Sequence, residues 1–273
     1  MKEQTMQFER ARLEINGPVG TLVMDHPEVM NAVSPEMLSG LQAALNHVED
    51  PKHGLRALVF TGAGRGFCAG ANLGGGPATL ATGSGTQARD AGAALETMYH
   101  PFLRRLRNLN MPIVTAVNGA AAGVGMSFAL MGDMVLAARS AYFLQAFRRI
   151  GLVPDGGSTW LLPRLVGLAR AKELSLMGEK LPAEKALEWG LINRVHDDAK
   201  LMEEAHALAQ ELASGPTVAL AAIRNLYWQS PDNTYEEQLN AERWAQRTAG
   251  RAEDFAEGVS AFLGKRKADF KGR

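Results

Sequence analysis

Few side chains in this sequence combine a reactive type with a reactive setting, and Asp155 is the first of them. It follows Pro154 and precedes Gly156-Gly157-Ser158-Thr159. That context allows two readings: a helix N-cap accepting the first free N–H groups, or a general base held beside a pocket. The residues alone leave both open. Ser127, in Gly125-Met126-Ser127-Phe128-Ala129, imitates a nucleophile elbow. An elbow must turn directly out of a strand, whereas small residues intervene here after Val117, so a small helix residue is the better reading. Cys68 lies in a glycine-rich loop with no histidine near it in sequence, which favours packing over a thiolate nucleophile. The 6 histidines stand at 26, 47, 53, 100, 196 and 206, without the H-x-x-x-H spacing of a ligand pair, so no metal site is expected.

A second kind of chemistry belongs to the backbone. Residues 113–133, IVTAVNGAAAGVGMSFALMGD, begin as an apolar strand and pass through Asn118, Gly119, Ala120, Ala121, Ala122, Gly123 and Gly125 into an apolar run of about two helical turns. Small side chains leave peptide N–H groups uncovered, and the first N–H groups of a helix have no internal partner. Such a junction suits a developing negative charge. Gly64, Gly66 and Ala69 match the dinucleotide fingerprint after a strand, but no amphipathic helix starts within it, and a tight loop is the stronger reading.

The elements that must position these groups follow from pattern. Arg10–Ile15 and Val19–Asp25 around Asn16-Gly17-Pro18 predict a hairpin. Ser34 caps a helix opened by Pro35, with Met37, Leu38, Leu41, Ala44, Leu45 and Val48 on one face. Strands are expected at 55–61, 113–117, 134–138 and, short, 141–147. Helices are expected at 94–109, from 155, at 168–177 and at 182–189 with Gly190 as C-cap. Residues 73–93, rich in glycine and small polar residues, read as a surface insertion or a lid. From residue 200 the pattern is helical only, at 200–213, 217–229, 234–249 and 252–263, which divides the chain into a mixed α/β segment 1–199 and a helical segment 200–273.

Composition sets the class of partner. Apolar residues make up 46% and charged residues 21% of 273 positions, and Lys plus Arg balances Asp plus Glu at 29 each. No basic surplus points to nucleic acid or an anionic membrane, so a small molecule is the expected partner. One cysteine, a charged N-terminus without an apolar h-region, and the lack of an apolar run of about 18 residues point to a cytoplasmic protein.

Several stretches together resemble the enoyl-CoA hydratase/isomerase (crotonase) family. They are Asn31-Ala32-Val33 after His26-Pro27, Thr61-Gly62 with residues 66–73 (GFCAGANL), residues 112–125 (PIVTAVNGAAAGVG), residues 151–159 (GLVPDGGST), residues 190–195 (GLINRV) and residues 262–267 (FLGKRK). They cover nearly the whole chain in the family's order. Within the family, residues 146–155 (AFRRIGLVPD) and 65–70 (RGFCAG) are most similar to the phenylacetate-pathway branch of ring-epoxyphenylacetyl-CoA isomerases, which also shift enoyl double bonds.

The resemblance implies an α/β fold with a β-β-α spiral core and a C-terminal all-helical trimerisation region, giving a homotrimer or a dimer of trimers. It implies an acyl-CoA thioester as ligand, with coenzyme A part of the substrate and no separate cofactor. An oxyanion hole would be made by the N–H groups of Ala71 and Val124. CoA contacts would come from Val29, Met30, Ala32, Ala71, Asn72 and Leu73, with Phe262 and Lys265 near the nucleotide end. Hydratases of the family carry two glutamates, and the matching positions here are Ser127 and Phe147. Neither exchanges a proton usefully, and hydration needs an activated water and a proton donor. An isomerase needs one carboxylate to take a proton from one carbon and return it to another, and Asp155 stands where some isomerases of the family place theirs. An acyl-CoA isomerase using Asp155 is therefore expected, with an enoyl-CoA hydratase and a non-catalytic acyl-CoA-binding protein as alternatives.

Overall fold

A computed structural model describes residues 4–74 and 90–273. Three antiparallel strands open it: β1 (Gln4–Phe8), β2 (Ala11–Asn16) and β3 (Val19–Met24). Helix α1 (Pro35–Val48) follows, with the Ser34 hydroxyl accepting the Met37 N–H at 3.3 Å and the expected apolar face buried against β1, β2 and β3. Strand β4 (Ala57–Gly62) runs parallel to β3. A π-helical turn at Leu95–Tyr99 then leads into α2 (His100–Asn108). Next come β5 (Ile113–Val117), β6 (Ala120–Ala122), α3 (Val124–Ala129), β7 (Met134–Ala138) and β8 (Tyr142–Leu144). Helices α4 (Ser158–Val166) and α5 (Leu168–Met177) precede β9 (Lys180–Pro182), α6 (Ala183–Glu188) and β10 (Arg194–His196). Four helices complete the chain: α7 (Leu201–Ala213), α8 (Thr217–Gln229), α9 (Tyr235–Ala249) and α10 (Glu253–Leu263).

The large sheet has the order β1-β2-β3-β4-β5-β7-β10, and its strands are parallel from β3 onward. β4 and β5 are buried along their whole length, as near-continuous apolar parallel strands must be when both faces are covered. Here α1 covers β1, β2 and β3, and α7 lies on β3, β4, β5 and β7. A second row crosses the ends of these strands. Val33 bridges Ala71, Cys68 bridges Ala121, and β6 pairs with β8, which pairs with β9. The strands β3, β4, β5 and β7 are thus each followed by a short extended segment before the next helix. This repeat is the β-β-α spiral expected from the sequence, and it brings the segments after β4, β5 and β7 side by side.

Several expectations change in detail. β1 was not expected, because QTMQF carries too few apolar residues to read as a strand; its register with β2 supplies the pairing. Strand β5 does not run directly into a helix: three alanines first form β6, against Tyr142–Leu144. The helix predicted from 155 begins at Ser158, with Gly157 at the cap in a left-handed conformation (φ 84) and no side-chain cap bond. The helix expected at 94–109 starts as a π turn. Of the 73–93 insertion, residues 75–89 lie outside the described residues. The helical run from residue 200 is present, and its first helix α7 shares the core of the segment before it.

Candidate active site

Two left-handed glycines lie back to back where the segments after β4 and β5 meet. Gly70 has φ 104 and Gly123 has φ 53. A Cβ on Gly70 would stand 3.1 Å from the Ala122 carbonyl oxygen, and one on Gly123 would stand 3.8 Å from the Gly70 Cα. A side chain at Gly70 would push the two backbones apart, whereas at Gly123 the space is ordinary and the positive φ is what favours glycine. Immediately after these glycines come Ala71 and Val124.

The N–H groups of both residues are free for a reason visible in the pairing. Around Ala71, the Val33 N–H donates to the Gly70 carbonyl at 2.7 Å and the Asn72 N–H to the Val33 carbonyl at 2.8 Å. Ala71 is the residue between those bonds, and its own N–H donates to no acceptor among the described residues. Val124 is the first residue of α3, so its N–H has no partner within the helix. The preceding Gly123 N–H is used by the Leu144 carbonyl at 2.8 Å, and among the described residues the Val124 N–H also finds no acceptor. The structure therefore brings the two expected donors together on adjoining backbones.

Two asparagine amides hold the loop beneath them. Asn31, fully buried at φ 56, donates through Nδ2 to the carbonyls of Ala63 and Gly66, both at 2.8 Å, and accepts the His26 N–H at 2.9 Å. Asn118 Nδ2 donates to the carbonyls of Gly62 at 2.9 Å and Gly64 at 2.8 Å. No helix opens at Gly64-x-Gly66-x-x-Ala69, where the chain stays extended through the Cys68 and Ala71 bridges, so the dinucleotide fingerprint is accidental. Val29, Met30, Ala32, Ala71, Asn72 and Leu73 gather at this edge, joined by the Val33–Ala71 bridge and the Ala69 N–H to Met30 carbonyl bond at 3.0 Å. Phe262, near the end of α10, and Lys265, just beyond it, are both exposed.

Asp155 is half-buried on the loop between β8 and α4. Its side chain caps nothing: Oδ1 is buried without a hydrogen-bond partner among the described residues, and the helix starts only at Ser158, with Gly157 at its cap. The N-cap reading is thereby corrected, because the left-handed pair Gly156 and Gly157 turns the chain before the helix begins. Burial pushes the Asp155 carboxyl up to about 6, with the positive charge of His100 opposing the rise. His100, Gly156 and Gly157 also line a cavity of about 330 Å³ walled by Leu103, Met131 and Trp160.

The backbone carbonyl of Asp155, unlike its carboxylate, is fully used. It accepts the Ser158 N–H at 3.1 Å and lies within hydrogen-bond reach of the Ser158 hydroxyl at 2.9 Å and the Ser127 hydroxyl at 3.0 Å. Gly156 is pressed onto α3, since a Cβ there would stand 2.6 Å from Ser127 Cβ and 3.5 Å from Val124 Cγ2. The Asp155 loop is therefore packed directly against the residue bearing the second free N–H. Phe147 closes the other flank, its ring tip 3.8 Å from a Cβ position on Gly123. Half-buried Tyr99 completes the surround. Its phenol is raised by burial and by the Asp155 charge, with a smaller contribution from Cys68, which sets it near both.

The remaining candidates fall away. Ser127 is fully buried with its hydroxyl committed to Asp155 and Ser158, so it is no nucleophile. Burial pushes the Cys68 thiol up to about 12, which keeps it protonated. Among the described residues no cluster of His, Cys, Asp and Glu could hold a metal, and no helix is long and apolar enough to cross a membrane. Sequence reasoning missed Tyr99 and the role of Ser158. Tyr99 carried no motif, and a π turn, common at functional sites, sets its direction.

Residues 14–273 match the family described as Enoyl-CoA hydratase/isomerase. The chain is 48% identical over 261 residues to the 1,2-epoxyphenylacetyl-CoA isomerase of Escherichia coli K12, covering 93% of this chain and 95% of that protein. It is 42% identical to a "probable enoyl-CoA hydratase" of Rhodobacter capsulatus, over 98% of this chain and all (100%) of the other. The crystal structure of an enoyl-CoA hydratase from Polaromonas sp. JS666 superposes with a TM-score of 0.85 at 33% identity, covering 98% of this chain and 99% of that one.

Proposed function

The chain belongs to the enoyl-CoA hydratase/isomerase family, and from that premise we propose that it is an isomerase of acyl-CoA thioesters with Asp155 as its acid–base group. The observation that carries the proposal is the Asp155 carboxylate: buried, lacking a partner on Oδ1, and packed through Gly156 against Val124. In this reading the thioester oxygen sits between the N–H groups of Ala71 and Val124. Asp155 removes a proton from the carbon beside the thioester, and the electron pair moves onto the oxygen as an enolate. Fixed donors aimed at such an oxygen are usually the largest single term in catalysis, and each is worth about 10²–10³ in rate. Asp155 returns the proton two bonds further along the chain, so the double bond shifts with no net gain or loss of atoms. A pKa near the working pH suits a group that must both take and give the proton.

The wall around the site favours return of the proton over entry of water. Phe147 and Ser127 stand at the two positions where the family resemblance places hydratase glutamates. Ser127 is buried under Gly156, and Phe147 is 7% exposed and apolar. The E. coli relative bears the name of a ring-epoxide isomerase, which supports extending the substrate range to aryl-epoxide CoA esters and a place in phenylacetate catabolism. Coenzyme A would lie along the backbone of Val29, Met30, Ala32, Ala71, Asn72 and Leu73, with Phe262 and Lys265 toward its nucleotide. The reaction asks for no cofactor beyond the substrate's own coenzyme A. A cytoplasmic homotrimer or dimer of trimers belongs to the same proposal.

The test is the conversion of a 3-enoyl-CoA to its 2-enoyl isomer by the purified protein, followed by chromatography of the CoA esters. Turnover by the native protein and its loss in Asp155→Asn are expected; an Asp155→Asn variant as active as the native protein would refute the assignment. The hydratase reading draws on the names of two of the relatives. Hydration of crotonyl-CoA faster than double-bond shifting would establish it instead.

A further inference from the structure

Ser127 occupies the α3 position that the resemblance gives to a hydratase glutamate, yet its hydroxyl points at the backbone of the Asp155 loop. Three buried groups meet there. The Ser127 and Ser158 hydroxyl oxygens are 2.7 Å apart, and each is within hydrogen-bond reach of the Asp155 carbonyl, at 3.0 and 2.9 Å. Gln145 Nε2 donates to the Ser158 hydroxyl at 3.3 Å. Ser127, Ser158 and Gln145 are all fully buried at 0% exposure.

Counting protons makes the cluster directional. Each hydroxyl has one proton to give and can accept two. Two protons must serve the contact between the hydroxyls and the contacts to the carbonyl. One hydroxyl therefore donates to the other, and the second donates to Asp155, while the Ser158 N–H supplies a further bond at 3.1 Å. With Gln145 feeding Ser158, the chain ends on the carbonyl of the residue whose side chain is free. A carboxylate with no partner on Oδ1 has nothing at its own end to fix it, so its placement is inherited from its backbone. Functional side chains held this way depend on the groups behind them.

Resting on the reading of Asp155 as the base, we infer that Ser127, with Ser158, is a positioning residue that clamps the Asp155 backbone and holds its carboxylate against the oxyanion pair. The α3 position that supplies an acid in hydratases supplies here a brace for an acid carried on another loop. The close packing of Gly156 on Ser127 fits this role: a Cβ at 156 would stand 2.6 Å from Ser127 Cβ and 2.9 Å from its Oγ, so only glycine lets the loop lie this close to α3.

The experiment is steady-state kinetics across pH for Ser127→Ala, Ser158→Ala, Asp155→Asn and the double variant Ser127→Ala/Asp155→Asn, with thermal melts as a check on folding. Ser127→Ala is expected to lower kcat for double-bond shifting by on the order of three- to tenfold, the worth of one lost neutral hydrogen bond. KM is expected to stay unchanged, because the serine does not touch the CoA ester. Its acidic limb is expected to move to lower pH as a loosened loop lets water reach the carboxylate. Ser158→Ala should act in the same direction. In the Asp155→Asn background Ser127→Ala should have no further effect on the residual rate, since residues acting through one another are non-additive. An unchanged kcat and pH profile in Ser127→Ala, with Asp155→Asn inactive, overturns the brace and leaves the base standing. Full activity in Asp155→Asn overturns both.

Discussion

Asp133, between α3 and β7, and Asp155, between β8 and α4, both carry partly buried carboxylates, but the chain treats them oppositely. The Asp133 carboxylate accepts the Ile113 N–H at 2.7 Å and the Arg224 Nε at 2.8 and 2.7 Å. Arg224, 5% exposed, spends its other donors on the carbonyls of Leu106 at 2.7 Å, Arg107 at 2.5 Å and Leu109 at 2.9 Å, at the end of α2. Burial raises the Asp133 carboxyl, and Arg224 with the Ile113 N–H opposes it. Asp155 has burial without that compensation: Oδ1 has no partner among the described residues, and the charge of His100 alone offsets the rise to about 6. Buried polar groups are ordinarily satisfied, because an unpaired one costs about 1–3 kcal/mol. Asp155 is the one carboxylate among the described buried side-chain atoms without a partner, on a loop whose Gly156 packs against Val124, which supports the proposed reading of it as a functional group. One aspartate fastens α8 to the sheet; the other, in the function proposed above, is the group left free for the substrate.

Removing the reserved carboxylate should have the largest effect on rate and no adverse effect on stability. Asp155→Asn is expected to lower isomerisation by roughly 10²–10⁴, the usual worth of a positioned acid–base group. Its stability follows from linkage. The folded pKa, about 6, lies above the unfolded value of roughly 3.9, so the native protein loses stability as pH rises through that interval. Asparagine escapes this loss, and the variant should melt at or above the native temperature at pH 7 while matching it near pH 3. A large fall in melting temperature at pH 7 would instead make Asp155 a structural residue like Asp133.

The converse substitution is Arg224→Met. Breaking a buried pair by removing one partner costs about 3–5 kcal/mol, because the remaining charge is left uncompensated. Denaturant unfolding should show a loss of that order, with kcat per folded molecule unchanged. A fall in kcat without a loss of stability would erase the distinction between the two aspartates.

This division was only half legible in the sequence. The spiral was readable because its strands are near-continuous apolar runs, as in Leu58-Val59-Phe60 and Ile113-Val114, and because Ser34-Pro35 marks a helix start. The free N–H at the start of α3 was suggested by the crowd of small residues from Asn118 to Gly125, which leave the backbone uncovered. The cap and base readings of Asp155 could not be separated, because both place an acid before glycines. They differ only in where Oδ1 points, and that depends on the left-handed turn at Gly156-Gly157 and on hydroxyls from α3 and α4. The strand β6 was hidden for a similar reason: Ala120-Ala121-Ala122 has little strand propensity, and Cys68 and Tyr142–Leu144 supply the pairing from elsewhere in the chain.

Acidity offers a finer measure than mutation of either aspartate. As the base, Asp155 must be ionised, so kcat/KM should rise with pH through an apparent pKa of about 6 and then level off. Cys68, pushed up to about 12, and Tyr99, also raised by burial, stay protonated over the working range and add no second limb. A profile flat from pH 5 to pH 8 would remove Asp155 from the reaction.

The smallest expected effect probes the one charge that Asp155 does feel. His100 pulls the Asp155 carboxyl down against its burial, and its Nδ1 lies 3.1 Å from a Glu96 oxygen on the preceding turn. Replacing it by glutamine removes a favourable charge from the carboxylate, which becomes harder to ionise. The acidic limb of His100→Gln should therefore move to higher pH, with the plateau little changed, because the ionised base is the same group in the same place. The direction is the informative part. A shift to lower pH would mean that His100 buries Asp155 more than it stabilises its charge, and the environment of the free carboxylate would then be set by packing alone.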